Sequence, residues 1–300
     1  MQISTLFRGC ALAAVALVSA ATFAQKPVTT TTTKVGELAS LIPAANRYKT
    51  KELTVAGPLN GDDLKVIREM CGRDYNGAES DGVTATLDLS KALIKQEAGK
   101  NYFVEQRGIS KKYYAPSEDN EIGAKLFYRC KPLKKVILPE NTTIISGYAF
   151  QASGLTELVI PNTVKTIRQY AFASTNLKEV ILPASLSELE NKVFDNCANL
   201  TTVVFTGTTP PNNIPAEVFN NCPKLSKIIV PSESLDAYTA VLQGKKPEAA
   251  TITSVKTIKV ANGVKEVARF DLEGRRLSAP VQGINVVRYS DGSTAKVLVP

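Results

Sequence analysis

Histidine is absent from this 300-residue chain. That absence excludes Ser-His-Asp and Cys-His nucleophilic catalysis and removes the commonest zinc ligand. Cysteine is scarce, five in all and spread singly, so there is no Cys-x-x-Cys metal site. Neither a Gly-x-x-x-x-Gly-Lys-Ser phosphate loop nor a Gly-x-Gly-x-x-Gly fingerprint occurs. A non-enzymatic protein with no cofactor and no metal is therefore expected. Apolar runs are missing too, except Ala11 to Ala24, which follows Arg8 and ends Thr22-Phe23-Ala24. Residues 1–24 read as a secretory signal peptide, with an apolar run too short to span a bilayer permanently. Cys10 precedes that run and follows Arg8-Gly9, so lipidation there is not expected. With no other segment able to cross a membrane, the mature chain is expected to be exported and soluble or surface-attached.

The net charge of +8 has no face to act through. Residues 117–231 carry 11 Lys/Arg against 10 Asp/Glu, residues 25–116 carry 14 against 11, and residues 251–300 carry 8 against 4. No basic stripe and no aromatic-basic interleaving appears, so no nucleic-acid partner is expected.

What the chain has instead is repetition. Leu133-Lys-Lys-Val-Ile-Leu-Pro139, Leu155-Thr-Glu-Leu-Val-Ile-Pro161, Leu177-Lys-Glu-Val-Ile-Leu-Pro183, Leu200-Thr-Thr-Val-Val-Phe-Thr206 and Leu225-Ser-Lys-Ile-Ile-Val-Pro231 start 22, 22, 23 and 25 residues apart. A period in the low twenties signals a solenoid, each repeat one unit stacked on its neighbours. Other columns keep step with the strands. Phe127, Phe150, Phe172, Phe194 and Phe219 form one. Ile122, Ile145, Ile167, Leu189 and Ile214 precede each Phe by five residues. Cys130, Ser153, Thr175, Cys197 and Cys222 follow it by three. Alternation turns Val136 and Leu138 and their equivalents inward, and the closing Pro suits a strand end. Tyr148-Ala-Phe150 and Tyr170-Ala-Phe172 are expected to form a helical turn on the opposite side.

These phrases, Ala-Phe followed by Leu-x-x-Val-x-Ile-Pro-x-x-Val-x-x-Ile, resemble the BspA-type leucine-rich repeats of bacterial surface proteins. The resemblance covers roughly Glu121 to Tyr238 and implies a surface adhesion role. Pro210-Pro211 before the last Phe, and Val230-Pro231-Ser-Glu-Ser-Leu-Asp-Ala-Tyr238, look like that family's last coil and its cap. Thr206 departs from the strand-ending Pro and reads as a variant turn.

Outside the repeats, Thr29 to Thr33 lies in an extended linker spanning 25–34. Residues 35–116 read as an N-terminal capping region of irregular opening coils. In it, Gly36 to Asn46 has helical spacing, Glu52 to Ala56 reads as a strand, and Thr84 to Leu89 as another. Asn60 N-caps a helix with Leu64, Ile67 and Met70 inward, ended by Gly72. The solenoid proper spans 117–243 and closes on a helix with Leu235, Tyr238 and Leu242 inward, N-capped by Ser232 or Ser234. In residues 251–300, Val255 to Val260, Glu266 to Phe270, Ile284 to Tyr289 and Ala295 to Val299 alternate as strands. Leu272-Glu-Gly274 and Ser290-Asp-Gly292 supply turns. This segment resembles the C-terminal sorting domains of type IX secretion cargo at Asp271, Gly274, Arg275, Gly283, Lys296 and Val297. The other reading is a plain β-module. The expected fold class is α/β: a leucine-rich-repeat solenoid of short strands and short helical or irregular turns with helical caps, then a small all-β C-terminal module.

Two columns point away from the core: Lys135, Glu157, Glu179, Thr202 and Lys227, and beside it Ile137, Val159, Ile181, Val204 and Ile229. The β-branched column fits a pleated surface on propensity alone. An exposed apolar ladder also marks an interaction site, and a terminal module covering it is a third reading. These ten residues are the candidate binding face for an unidentified host or neighbouring-cell surface protein or glycan. The alternative is a structural spacer whose contacts are made by the C-terminal module. Glu157 and Glu179, one coil apart, have the spacing of a carboxylate pair for glycoside hydrolysis, but the lysines in their column favour a solvated face. Cys197 and Cys222 share a column of adjacent coils, within reach of a disulfide, or form a ladder of small buried groups with Ser153 and Thr175.

Overall fold

The computed structural model of the chain describes residues 27–242, 244–250, 266–270, 276–279, 283–289 and 294–299. The expected signal peptide lies outside them, as do the strand 255–260, both C-terminal turns, and Asp271, Gly274 and Arg275.

The described chain opens on β1 (Val28–Thr31), which pairs parallel with β2 (Glu52–Leu59). The threonine run read as a linker is thus largely a sheet-edge strand; Thr32 continues it by donating its hydroxyl to Ala56 O and Pro58 O. Between the two strands, α1 (Leu38–Leu41) and α2 (Ala44–Arg47) replace one expected helix. Pro43 splits them, because Pro pushes its predecessor out of the helical region, and Ile42 is extended at ψ 100°.

Asn60 caps α3 (Gly61–Met70) as expected, in a reciprocal capping box with Asp63. Asp63 also accepts from the backbone N–H groups of Gly36 (2.6 Å) and Leu38 (2.9 Å), fastening the first segment to this helix. β3 (Thr86–Asp88) pairs with β2, as does β4 (Ala92–Ile94). A hairpin follows, β5 (Phe103–Arg107) and β6 (Ser110–Tyr114), turning through Gly108 at φ 61° and Ile109. Glycine at the first of two loop residues matches the twist of the strands.

From β7 (Glu121–Ile122) the coils become regular. β8 (Lys135–Ile137) and β10 (Glu157–Val159) extend the first sheet, giving the order β1-β2-β3-β8-β10. The two-residue strands β9 (Ile144–Ile145), β11 (Thr166–Ile167) and β13 (Glu188–Leu189) line up with β7 in a second parallel sheet. β12 (Glu179–Leu182), β14 (Thr202–Phe205), β15 (Lys227–Pro231) and β16 (Glu248–Ala250) form a third. Parallel strands recurring in fixed register are compatible with a repeat solenoid. Thr206 donates both its N–H and its hydroxyl to Leu182 O, a bond that the imino nitrogen of Pro cannot make.

The interior is a column of phenylalanines. Phe127, Phe150, Phe172, Phe194 and Phe219 stack with ring centroids 5.1, 5.5, 5.5 and 5.6 Å apart, all buried. Around them the chain forms turns rather than the expected helical turn. The residues two before and two after Phe150 and Phe172 hold positive φ: Tyr148 at 62°, Ala152 at 56°, Tyr170 at 57° and Ser174 at 57°. Hydrogen bonding to the following coil holds this left-handed backbone. Tyr148, Phe150 and Ala152 donate to the carbonyls of Gln169, Ala171 and Ala173 at 3.1, 2.8 and 2.9 Å.

The irregular opening joins the first coil through Arg68, which is fully buried on α3. Its guanidinium donates to Asp74 O, Lys125 O and Leu126 O and lies 4.4 Å from the Phe103 ring centroid. Burial holds its pKa below the ordinary value. At the far end, α4 (Leu235–Val241) buries Tyr238 against Phe205, with the phenol hydrogen-bonded to Gly207 O. Ser234 occupies the N-cap position, but its hydroxyl donates to Thr208 O instead of capping the helix. Beyond the gap, β17 (Glu266–Phe270), β18 (Arg276–Leu277), β19 (Gly283–Tyr289) and β20 (Thr294–Val299) form an antiparallel sheet ordered β18-β17-β19-β20. Gly283, Lys296 and Val297 lie on its strands.

Candidate functional site: two faces of the coil stack

Pairing of β8 with β10 sets Lys135 beside Glu157 and Ile137 beside Val159. Pairing of β12, β14 and β15 aligns Glu179, Thr202 and Lys227 in one row and Ile181, Val204 and Ile229 in the other. All ten candidate residues therefore fall into two adjacent rows, carried by the first and third sheets. The rows also run further than the repeats suggest. Glu52 and Thr86 continue the charged row, and Thr54 and Asp88 continue the apolar one. Glu248 on β16 follows Ile229 at the other end. The apolar row is thus five Ile and Val residues closed off by a carboxylate at each end. Those five side chains are half-buried, so the face is a shallow apolar stripe and not a set of projecting groups.

Within the charged row Lys135 Nζ lies 3.2 Å from Glu157 Oε2, with Glu157 65% exposed. An ion pair that open to water contributes at most about 1 kcal/mol. Glu157 is thereby tied to a lysine, as expected of a solvated face. The small-residue column also has a clear geometry. Cys197 donates to Phe172 O at 3.2 Å and Cys222 to Phe194 O at 3.0 Å, both as free thiols. Thr175 donates its hydroxyl to the same Phe172 O at 2.8 Å, from within the Phe172 coil. These residues therefore form a ladder of small hydrogen-bonding groups under the phenylalanines. The bond shared with Cys197, and then burial, push the Cys222 thiol up.

A second feature lies on another side of the coils. The hairpin β5–β6 stands beside the second sheet, and between them is a cleft of about 770 Å³. Its anchor is Tyr102, fully buried, whose hydroxyl donates to Ala124 O at 2.7 Å. Only glycine fits at 123, since a Cβ there would lie 2.3 Å from that hydroxyl oxygen. Lys125 Nζ sits 2.9 Å from both oxygens of Glu105 and faces the rings of Tyr114, Tyr128 and Tyr148 at 5.2, 5.5 and 5.7 Å. The lysine and a bond from Tyr114 hold the Glu105 carboxyl down at about 2. Burial, then the Glu105 bond, pushes the Tyr114 phenol up to about 12. Tyr148 lines the cleft and stacks on Tyr170 with ring centroids 5.1 Å apart. A continuing hollow of about 600 Å³ shares Gln169, Glu188 and Glu190 and runs on to Asn212 and Asn213. The hairpin is one place where the repeat columns give no warning. Its signal is local, Tyr102-Phe-Val-Glu-Gln-Arg-Gly-Ile-Ser-Lys-Lys-Tyr-Tyr114, in which apolar or aromatic ends and polar centres mirror each other about a glycine.

Residues 120–246 match the family model described as BspA type Leucine rich repeat region, in six copies. Over those residues the chain is similar to BspA-type repeats. Among solved structures, a leucine-rich repeat protein from Bacteroides ovatus is 24% identical over 39% of this chain and 30% of its own, with a TM-score of 0.30. The Pneumococcal vaccine antigen PcpA is 16% identical over 67% of this chain and 60% of its own, TM-score 0.37. A leucine rich cell surface protein from Faecalibacterium prausnitzii is 14% identical over 62% and 56%, TM-score 0.32. This chain spans between 30% and 60% of the length of those three proteins. No curated protein matches it. Among the described residues no helix is long and apolar enough to cross a membrane, and no group of three or more Cys, Asp or Glu could hold a metal ion.

Proposed function

We propose that this chain is an exported, non-enzymatic recognition protein that works at a bacterial cell surface. It contacts a host or neighbouring-cell protein or glycan through the rows on its first and third sheets. The observation that carries this reading is the Ile137, Val159, Ile181, Val204, Ile229 row beside a mixed-charge row, spread over five coils of the first and third sheets. Such a stripe supplies apolar contact area while the neighbouring charges set register and reject wrong partners. The BspA-type repeats fit a surface role of this kind. The test is adherence of beads carrying the full chain to host epithelial cells and to neighbouring bacteria. Val159→Lys with Val204→Lys is expected to abolish adherence while circular dichroism stays unchanged. Adherence equal to that of the unaltered chain excludes this face.

A second reading follows from the separately hydrogen-bonded C-terminal sheet. In it the coils are a spacer, residues 251–300 make the contacts, and their likeness to type IX sorting domains reflects export. Deleting Thr251 to Pro300 distinguishes the two: a spacer loses its localisation and its contacts, whereas a sheet-face binder keeps its affinity in solution.

A further inference from the structure

We propose that the cleft under the hairpin is a second binding site, for an oligosaccharide that ends in a single carboxylate-bearing sugar. The site stands apart from the sheet face, since none of its lining residues belongs to the two rows. Its size is that of a small-ligand cleft, within the roughly 300–1,000 Å³ such sites occupy.

The charges along the cleft are segregated. At the hairpin end Arg107, Lys112 and Lys125 face one carboxylate, Glu105. Pairing across the hairpin puts Glu105 opposite Lys112 and Arg107 opposite Ser110, so these four side chains share the face toward the cleft. Glu105 is already engaged by Lys125 and Tyr114, which leaves an excess of positive charge at this end. At the other end Arg168 stands against Glu188 and Glu190. The remaining lining carboxylate, Glu121, is buried and consumed by Ser117 and Ser146. A uniform polyanion laid along the cleft would meet favourable charge at one end and repulsion at the other. A ligand with one anionic end does not have that conflict.

Between the ends, the floor offers hydrogen bonds and not bare apolar surface. The ring faces of the lining Tyr148 are covered by Tyr170 and Lys125, which leaves its edge and hydroxyl to a ligand. Gln151 and Gln169 line the cleft with it. The Glu190 carboxylate is held in place by the Gln169 N–H at 2.8 Å. Fixed phenol edges, amides and carboxylates one coil apart are complementary to the hydroxyl groups of successive sugar rings. A guanidinium and an ammonium then take the terminal carboxylate, the pairing with the strongest charge-assisted bonds.

The experiment is isothermal titration of the full chain with four probes. Two carry one carboxylate, sialyllactose and a glucuronate-terminated disaccharide; lactose is the neutral control and heparin the polyanion. At least one monoanionic probe is expected to bind, at least tenfold tighter than lactose, and to weaken as salt is raised. Arg107→Gln with Lys112→Gln, both on exposed hairpin positions, is expected to erase that preference. Gln169→Ala is expected to weaken binding severalfold, and Val159→Lys with Val204→Lys to leave it unchanged. Failure of both monoanionic probes to bind, lactose bound equally well, or heparin bound more tightly than either probe overturns the proposal. So does binding that survives the hairpin variant. Because the sheet-face variant is scored separately, loss of one site is distinguishable from loss of the other.

Discussion

Replacing Phe172 by Leu tests whether the coils are held as a one-dimensional stack. Phe172 is fully buried, with Phe150 and Phe194 each 5.5 Å away and nearly parallel to it, at 17° and 15°. Aromatic pairs of this kind contribute about 0.5–1.5 kcal/mol each beyond the area they bury, so the Leu variant forfeits two such pairs, about 1–3 kcal/mol. Phe219 has a single ring neighbour in the column, Phe194 at 5.6 Å. Phe219→Leu therefore forfeits about half as much from stacking. Urea unfolding of the full chain reads both costs. A double-mutant cycle separates stacking from volume: Phe150→Leu with Phe172→Leu should show coupling of about 0.5–1.5 kcal/mol. Phe150→Leu with Phe194→Leu, one coil further apart, should be additive within about 0.5 kcal/mol. Equal coupling in the two cycles would refute the nearest-neighbour account and point to a core that relaxes as a whole.

Two further outcomes follow from the same geometry. Glu105 has a folded-state pKa of about 2 against an ordinary 4.5, so the stability it contributes is fully present above pH 4.5 and is lost as pH falls toward 2. The carboxylate is 23% exposed and the effect is on the order of 2 kcal/mol; acid titration of the melting temperature should lose this part of its slope in Glu105→Gln. Ala152 sits at φ 56°, where a side chain costs about 1–2 kcal/mol. Ala152→Gly is therefore expected to be neutral or to stabilise by up to about 1 kcal/mol, while Ala149→Gly, at a buried position of ordinary φ, costs about 1 kcal/mol. A melt in which both variants lose equally would contradict the left-handed assignment.

The repeat columns were legible because each residue is constrained by its own copies one coil away. Phe150 needs Phe127 and Phe172, and that requirement is written into the sequence as a period. The outward rows followed from the same register, and Asn60 with Asp63 announced α3 by local chemistry alone. What lacked a copy was harder to read. The hairpin occurs once, and the residue before it, Tyr102, is fastened to Ala124 O past a glycine at 123. The threonine run looks like a linker because nothing local states that Ala56 and Pro58 will accept its last hydroxyl. Left-handed backbone at Tyr148 and Ala152 is invisible for a different reason. Glycine is the residue that advertises positive φ, and here the bonds to the next coil hold the conformation without it.

Those bonds run one way. At Phe127, Phe150, Phe172 and Phe194 the N–H of the Phe and that of the residue two later reach forward to the carbonyls on either side of the next Phe, so these junctions share one pair of donors and acceptors. A coil can then be duplicated or deleted without leaving either neighbour unsatisfied. The reach of this molecule is set in whole increments of roughly 4.8 Å, the strand spacing. Evolution can lengthen or shorten it as one adds or removes links of a chain, leaving the opening helix and the closing one unchanged.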